Sequence, residues 1–326
     1  MFCNDFGPES LETIIALEAD RMRSLQITKA AVVSERKIVL AERHEKMHGS
    51  EARATEELFA LAYQAHSYAW SLYGWEADIA GWTLEDCRRY YRSHYSPNNA
   101  ALYFSGQFDP KHVLYLIKKH YGRLEPLARV AGRVTAEPTQ RGDRRAALHS
   151  DDGAQLLYAG WKGPPSTHPD ALAFDLLHYA LRRSSSRLSC TLVAEQSLAS
   201  SVSTAWSWKI DAGLFAIMVD LTDGLAAQSA ERALLAELER LAREGISPAE
   251  REEALSALQW DLYSALETNN GRAFALGTSE LYFGSCVEWF ALPRLYERIT
   301  VQELQRVAAK YLRPELRSVV TVTGHA

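Results

Sequence analysis

Cysteine is scarce in this chain of 326 residues, and Cys3, Cys87, Cys190 and Cys286 stand far apart. Their spacing fits neither a disulfide framework nor a zinc-binding cysteine cluster, so we expect four buried thiols. No apolar run approaches the roughly 20 residues that a membrane helix needs. The first ten residues, MFCNDFGPES, lack the basic and apolar regions of a signal peptide. These absences predict a chain without a membrane span that is cytoplasmic as written.

Positive charge is also limited, because the formal net charge is −5 and no run of lysine or arginine occurs. This balance argues against a nucleic-acid partner. Hydrophobic residues make up 47% of the chain and charged residues 24%, which is typical of a soluble globular protein. The length predicts two domains.

Two stretches of the sequence follow the same order of features, which indicates an internal repeat. TLEDCRRYYRSHYSPNNAALYFSG begins at Thr83, and TVQELQRVAAKYLRPELRSVVTVTG begins 217 positions later at Thr300. Each runs from a capped helix through Tyr and Pro to an apolar strand and a Gly. Because the second copy begins near Leu148, the matching start of the first copy would precede Met1 by about 70 residues. We therefore expect a first domain that is incomplete at its N-terminus; the alternative is chance similarity.

The pattern of elements predicts an α+β protein with two homologous domains, each a mixed β-sheet with helices packed mainly on one face. We assign residues 1–125 to the first domain, the Arg-, Gly- and Pro-rich residues 126–147 to a linker, and residues 148–326 to the second domain. Within the first domain, residues 28–48 are predicted as a helix that Gly49 ends. AALYFSG, at residues 100–106, is predicted as a buried strand.

A possible metal site is spelled by His44-Glu45-Lys46-Met47-His48, which reads H-E-x-x-H. On a helix, this motif would place two zinc-binding imidazoles one turn apart with Glu45 as the general base. A working site also needs a third ligand, and the sequence that follows is loop-like. The motif lies in a strongly charged run, which is typical of a solvated helix face, so a surface coincidence is the competing interpretation.

Glu35 and Glu42 form a second pattern on the same predicted helix. They are seven residues apart, which places both carboxylates on one face. At about 100° per residue, His44 lies about 200° round from Glu42. One straight helix can therefore hardly use both patterns in one site.

The chain resembles the insulinase/pitrilysin-type metallopeptidase family over nearly all of its length. SERKIVLAER, GWTLEDCRRYYRSHYSPNNAALYFSGQFDP and SSSRLSCTLVAEQSLASSVSTAW carry this resemblance. It implies zinc as the cofactor, peptides as substrates, and residues 1–125 as the truncated zinc-side domain. It also implies that Glu42 occupies the position of the third zinc ligand and that Glu35 is the supporting acid that orients it.

The sequence departs from this family at the residues that perform the chemistry. The family's inverted zinc motif, H-x-x-E-H, occurs nowhere in the chain, and Val193 and Ser200 stand where the other half of such proteins often carries Arg and Tyr. We therefore expect no catalytic residue and no tight zinc binding in the isolated chain.

Two functional hypotheses follow from this departure. The chain is either half of a zinc endopeptidase whose histidines come from elsewhere, or a non-catalytic binding or scaffold subunit that pairs with an active family member. Both predict a homo- or hetero-oligomer with another family half. If a signal peptide is encoded upstream, the expected compartment becomes periplasmic or exported.

Overall fold

The computed structural model describes residues 1–127, 134–222, 224 and 227–324. Up to residue 127, the described chain forms helices. The helix Leu84–His94 begins with the capping box that the sequence predicts. The Thr83 hydroxyl accepts a hydrogen bond from the Asp86 amide, and the Asp86 carboxylate accepts one from the Thr83 amide. These helices are α1 (Leu11–Ser24), α2 (Lys29–Lys46), α3 (Ser50–Ala62), α4 (Glu76–Gly81), α5 (Leu84–His94) and α6 (Pro110–Tyr121).

The later part of the chain forms one mixed β-sheet. Its strands are β1 (Arg144–Ser150), β2 (Leu156–Lys162), β3 (Ala199–Ala205), β4 (Leu214–Leu221) and β5 (Ser318–Gly324). Their spatial order is β1-β5-β2-β4-β3, with β1 parallel to β5 and the other neighbours antiparallel. The short polar break between β3 and β4 predicts that these two strands are adjacent, which the structure confirms.

Helices between the strands complete this part of the fold. Among all the helices in the described ranges, including α1 to α6, none is long and apolar enough to cross a lipid bilayer. The helices are α7 (Ala171–Leu181), α8 (Arg187–Ser189), α9 (Ala227–Glu244), α10 (Pro248–Ser264), α11 (Asn269–Phe283), α12 (Leu292–Glu297) and α13 (Val301–Tyr311), and a π-helical turn (Cys190–Glu195) follows α8.

Helices cover both faces of the sheet. On one face, Ala54, Leu58 and Ala62 of α3 recur every fourth residue and pack in one apolar cluster with residues of β2, β4 and β5. On the other face, the ring of Phe174 on α7 meets Phe215 of β4 edge-on at 5.7 Å between centroids. Strand β2 is consequently buried from Leu156 to Trp161, as a strand covered on both sides must be. The predicted α+β class is confirmed.

The chain divides into two compact units that differ from the contiguous ranges predicted from the sequence. Unit 1 comprises Met1–His44, Tyr73–Arg133 and Ala265–Thr278; unit 2 comprises Glu45–Leu72, Val134–Ser264 and Ser279–Ala326. Helix α3, which the sequence places in the first domain, belongs to unit 2 because its apolar face is part of the sheet's core. The assignment of residues 1–125 and 148–326 to two repeated domains stays a prediction.

The predicted linker, residues 126–147, overlaps a strand. Residues 128–133 lie outside the described residues, and from Arg144 on the chain is β1. The arginines hide the strand pattern from a reading of the sequence. Arg144 donates from Nη1 to the carbonyl oxygens of Leu61 and Ala62 at 2.9 and 2.7 Å, and Arg145 donates to both carboxylate oxygens of Glu231. Partners of this kind let charged residues enter a half-buried strand.

Residues 100–106 do not form the predicted strand. The segment has no regular secondary structure, and Leu102 is 43% exposed. A strand exists only when a neighbouring strand takes its backbone hydrogen bonds. All the strands among the described residues belong to unit 2, so this apolar segment of unit 1 has no strand to pair with there.

The cysteines also differ from the expectation. All four are free thiols, but Cys3 and Cys190 are exposed and Cys87 and Cys286 are partly exposed, so the prediction of buried thiols is wrong. Local placement decides this burial. Cys190 opens the π-helical turn, and its Sγ lies 3.7 Å from the carbonyl oxygen of Ser185 at the surface.

Glu137 fastens the segment before β1 to the chain that leaves α3. Its carboxylate accepts hydrogen bonds from the backbone amides of Gln64, Ala65 and His66 at 2.9–3.1 Å and from Lys162 Nζ at 2.8 Å. Burial by itself raises the pKa of this carboxyl. The hydrogen bonds from Lys162 and the three amides outweigh burial and hold the pKa at about 2. The folded state therefore favours the ionised form of Glu137.

Replacing Glu137 with Gln should lower the free energy of unfolding by about 2 kcal/mol at neutral pH. Because the folded pKa of about 2 lies below the ordinary value of 4.5, this contribution is present above pH 4.5 and is lost as the pH falls towards 2. Urea denaturation of the wild type and E137Q across this range measures it, and the two curves should converge in acid. An exposed control, E125Q, should parallel the wild type; equal stability of E137Q and wild type at neutral pH would contradict the prediction.

Ser197 has a backbone φ of 51°, in the left-handed region that favours glycine. It lies between the π-helical turn and β3, and its carbonyl oxygen accepts from the Thr222 hydroxyl at 3.1 Å. A side chain in this conformation costs about 1 kcal/mol. The turn is therefore maintained by its surroundings at the expense of some local strain.

Replacing Ser197 with Gly should raise the free energy of unfolding by about 0.5–1 kcal/mol, because the strain disappears and the hydrogen bond to the backbone remains. The matched control is Ser203→Gly, at an exposed position of β3. There glycine should lower stability by about 0.5–1 kcal/mol, since it only adds freedom to the unfolded chain. Urea denaturation measures the free energy of unfolding of both variants. An equal decrease in both would show that the Ser197 backbone is unstrained.

Candidate functional site

Glu35 and Glu42 both lie on α2 in unit 1, and both are exposed. Their spacing of seven residues places them on the same side of the helix. The Tyr73 hydroxyl donates to Glu42 Oε1 at 3.4 Å, which is long for such a bond. Arg36 holds the helix in place, since its Nη1 donates to the carbonyl oxygens of Ala80 and Trp82 at 2.9 and 3.1 Å. One side of α2 therefore carries two exposed carboxylates, and the hydrogen bonds of Arg36 hold this helix against residues 80–82.

The H-E-x-x-H motif is not carried by one helix. Helix α2 ends at Lys46, so His44 lies on its last turn and His48 lies beyond its end. The prediction of a helix over residues 28–48 is therefore two residues too long at its C-terminus. The Glu45 carboxylate lies 3.5 Å from Lys46 Nζ in an exposed pair. The helical spacing that would bring the two imidazoles together is absent.

A zinc ion needs three protein ligands to hold it and activate water. In the parts of the chain that the structure describes, no three His, Cys, Asp or Glu side chains are grouped to hold a metal. Glu42 offers one carboxylate, with Glu35 two turns away on the same helix. The described residues do not fit a zinc site by themselves, and the ligand role of Glu42 stays a prediction that needs histidines from elsewhere.

Val193 and Ser200 are the residues that the family resemblance assigns to the Arg and Tyr positions, and this assignment stays a prediction. Val193 is half-buried in the π-helical turn, and Ser200 is exposed on β3, at one edge of the sheet. The Ser200 hydroxyl donates to the Asp220 carbonyl oxygen of the neighbouring strand at 3.3 Å. A valine has no polar atom, and this serine bonds within the sheet. The pair therefore gives little with which to polarise a substrate carbonyl.

In unit 2, the buried His66 meets the exposed Asp211, a contact between residues 145 positions apart that no sequence pattern indicates. His66 is 4% exposed, and its Nε2 lies 3.2 Å from Asp211 Oδ2. Its Nδ1 accepts from the Tyr68 amide at 3.1 Å, which places the ring proton on Nε2, directed at Asp211. Both ring nitrogens are thus engaged within the protein.

Asp175 and His178 are two buried ionisable residues one turn apart on α7. The Tyr296 hydroxyl donates to Asp175 Oδ2 at 2.6 Å. Burial raises the pKa of Asp175 to about 6, and burial together with the charge of Arg182 lowers the pKa of His178 to about 4. The sequence carried a signal for both, because they interrupt the apolar run ALAFDLLHYAL. Glu137, by contrast, stands in a polar segment that gave no such signal.

Comparisons with known proteins place this architecture in a family. The profile of the Peptidase M16 inactive domain matches residues 81–258, more than half of the chain. The zinc protease PqqE of Helicobacter pylori is 29% identical over 310 residues, which cover 93% of this chain and 69% of that protein. The probable mitochondrial-processing peptidase subunit beta of Schizosaccharomyces pombe is 25% identical over 312 residues, covering 91% of this chain and 67% of that protein.

A solved structure agrees with these sequence matches. The crystal structure of a protease from Helicobacter pylori superposes with a TM-score of 0.89 at 26% identity, over 98% of this chain and 78% of that chain. The resemblance to insulinase/pitrilysin-type metallopeptidases is confirmed, and the chain belongs to the peptidase M16 family.

Proposed function

We propose that this chain is a metallopeptidase-family subunit that does not hydrolyse peptides alone and works with a second family half. The observation that carries the proposal is on α2. Glu35 and Glu42 have the spacing of the family's ligand and its supporting acid, while H-x-x-E-H is missing from the sequence. One carboxylate cannot hold zinc against water, so the histidines and the general base would have to come from residues outside this sequence.

The partner half would contribute those residues next to α2. In the assembled site Glu42 would bind the metal, and Glu35, on the same side of the helix, would be the supporting acid. Exposure supports this assignment, because both carboxylates are open to a second chain without any rearrangement of α2. The substrate would be a peptide, as the relative's name, zinc protease, says of that protein.

The second candidate function is a scaffold subunit that binds an active family member without sharing its metal site. Val193 and Ser200 favour it, because neither side chain replaces the Arg and Tyr that such a half often offers to a substrate carbonyl. The two candidates differ in one respect that can be measured, namely whether activity of the assembly depends on Glu42.

Association of either kind is supported by unit 1. Residues 100–105 have the apolar sequence of a strand, yet no strand of the described chain pairs with them, and Leu102 is 43% exposed. Phe108, just beyond this segment, is 37% exposed, and Ile38 on α2 is 53% exposed. An unpaired apolar segment of this kind is suited to receive a strand from another chain, which would take its backbone hydrogen bonds and cover its side chains.

Zinc content tests the site assignment directly. After a mild chelator wash, elemental analysis of the purified chain should find far less than one zinc per chain, because only one ligand of the family set is in place. His48→Ala should leave this content unchanged, as should the exposed control His112→Ala. One zinc per chain that is lost in the His48 variant alone would establish the H-E-x-x-H motif as a metal site and overturn the proposal.

Complementation tests the function. The chain alone, with zinc, should cleave no peptide of a fluorogenic library, while addition of a separate family half that carries H-x-x-E-H should produce zinc-dependent cleavage. Glu42→Gln should abolish that cleavage, and Glu35→Gln should weaken zinc binding by about 10–100-fold. Glu45→Gln is the matched control on the same helix and should have no effect.

Each other outcome of the complementation experiment has a definite meaning. Cleavage that survives Glu42→Gln in a stable complex favours the scaffold function. Failure of the two halves to associate, or cleavage by the chain alone, contradicts the proposal.

A further inference from the structure

Several buried polar groups of unit 2 come together without partners where α7 faces the inner side of β3 and the segment after it. Both ring nitrogens of His178, the Thr204 hydroxyl and the indole nitrogens of Trp206 and Trp208 form no hydrogen bond of normal geometry among the described residues. Thr204 and Trp206 alternate with exposed residues at 203, 205 and 207, so these two side chains point to the same, inner side. Such groups are rare in native proteins, and several at one place call for a common explanation.

Ring contacts and the β3–β4 register place His178, Thr204 and Trp206 on the same face of the sheet. Phe174 and His178 stand one turn apart on α7, and both rings lie against Phe215, at 5.7 and 6.0 Å. The Trp206 ring packs edge-on against Phe174 at 4.7 Å. In the β3–β4 register, Thr204 is opposite Ile217 and Ala205 is opposite Ala216, which brings Trp206 beside Phe215. The backbone of Thr204 is also close enough to His178 to oppose the lowering of its pKa, so α7 and β3 meet at these groups.

Trp208 belongs to a different neighbourhood. Its indole group is close enough to Asp175 to lower the pKa of that carboxyl, although it forms no hydrogen bond of normal geometry. Asp175 itself accepts from the Tyr296 hydroxyl. The remaining set is one imidazole, one hydroxyl and one indole N–H, which together offer donors and acceptors but no net charge.

The chemistry of this set selects a small neutral ligand. His178 is 7% exposed, and burial keeps its imidazole uncharged at neutral pH. The buried carboxylate of Asp175 one turn away disfavours an anion, and Arg182 one turn further on disfavours a cation. A water molecule donates two hydrogen bonds and accepts two, and buried waters make about three such bonds.

We propose that His178, Thr204 and Trp206 form a built internal site for ordered water that joins α7 to the sheet. Water in this site accepts from the Trp206 indole N–H and exchanges hydrogen bonds with the Thr204 hydroxyl and one His178 nitrogen. The site connects the helix to the same strand that carries Ser200, so it fixes the inner side of the sheet's edge. It is independent of the proposed partner and of any metal.

Thr204→Val tests the proposal, because valine keeps the shape of threonine and removes only the hydroxyl. If the hydroxyl binds water, Tm should fall by about 2–4 °C. The matched control is Ser318→Ala on β5. The Ser318 hydroxyl is also buried and without a partner in the described chain, but its neighbours on β1 and β2 carry no other such group. Loss of this lone hydroxyl should not lower Tm, since an unpartnered buried group gives no stability.

A second variant and a spectroscopic measurement complete the test. His178→Phe should also lower Tm, and the double variant with Thr204→Val should lose little more than the larger single loss, because both changes remove the same water. In the wild type, the Trp206 indole proton should show a magnetization-transfer signal from water, and Thr204→Val should abolish it.

A Thr204→Val variant with unchanged or raised Tm overturns the proposal, as does the absence of a water signal at Trp206 in the wild type. If His178→Phe does not fold, Thr204→Val and the Trp206 signal still decide the question. A high-resolution crystal structure in which the three groups bond directly to each other would equally exclude the water site.

Discussion

Burial of β2 on both faces is the constraint on which the rest of unit 2 depends. A strand that is apolar from Leu156 to Trp161 must be covered twice, and the helices that follow β2 in the chain cover only one side. Helix α3, from much earlier in the chain, supplies the second cover. The chain between α3 and β1 must therefore return to the sheet, and Glu137 fixes this return at the exit of α3.

Several ionisable side chains inside this double layer are stabilised by hydrogen-bond partners. Glu137 is stabilised as an anion by amides and Lys162, whereas Asp175 is buried with a raised pKa and relies on Tyr296. His66 shows the same rule, since both of its nitrogens bond within the protein. In each case a partner comes from a part of the chain that is distant in sequence.

The functional interest lies instead on the exposed side of α2 in unit 1. Membership of the peptidase M16 family is the reason to propose a metal-binding role for Glu35 and Glu42, since their surroundings alone do not indicate one. Two exposed carboxylates on a helix are ordinary surface chemistry until histidines are brought to them. The apolar segment around Leu102, without a strand to pair with in the described chain, gives the same unit a reason to associate.

The sequence by itself determined the helix caps, the apolar strands and the fold class of this protein. The caps at Thr83 and Thr300, the apolar runs of β2, β4 and β5, and the α+β class could all be predicted, because caps and periodicity act over a few residues. The common helix of Glu35 and Glu42 followed in the same way from their spacing.

Only the tertiary structure decided the features that depend on residues far apart in the chain. Helix α3 packs on the sheet of unit 2, and the end of the predicted linker forms β1. Residues 100–106 have no strand partner in the described chain, and α2 ends before His48. The tertiary structure also brought Glu137 to the amides of residues 64–66 and His66 to Asp211. Strand pairing and the burial of charge are satisfied by partners that no short window of sequence contains, so they could be found only in the folded chain.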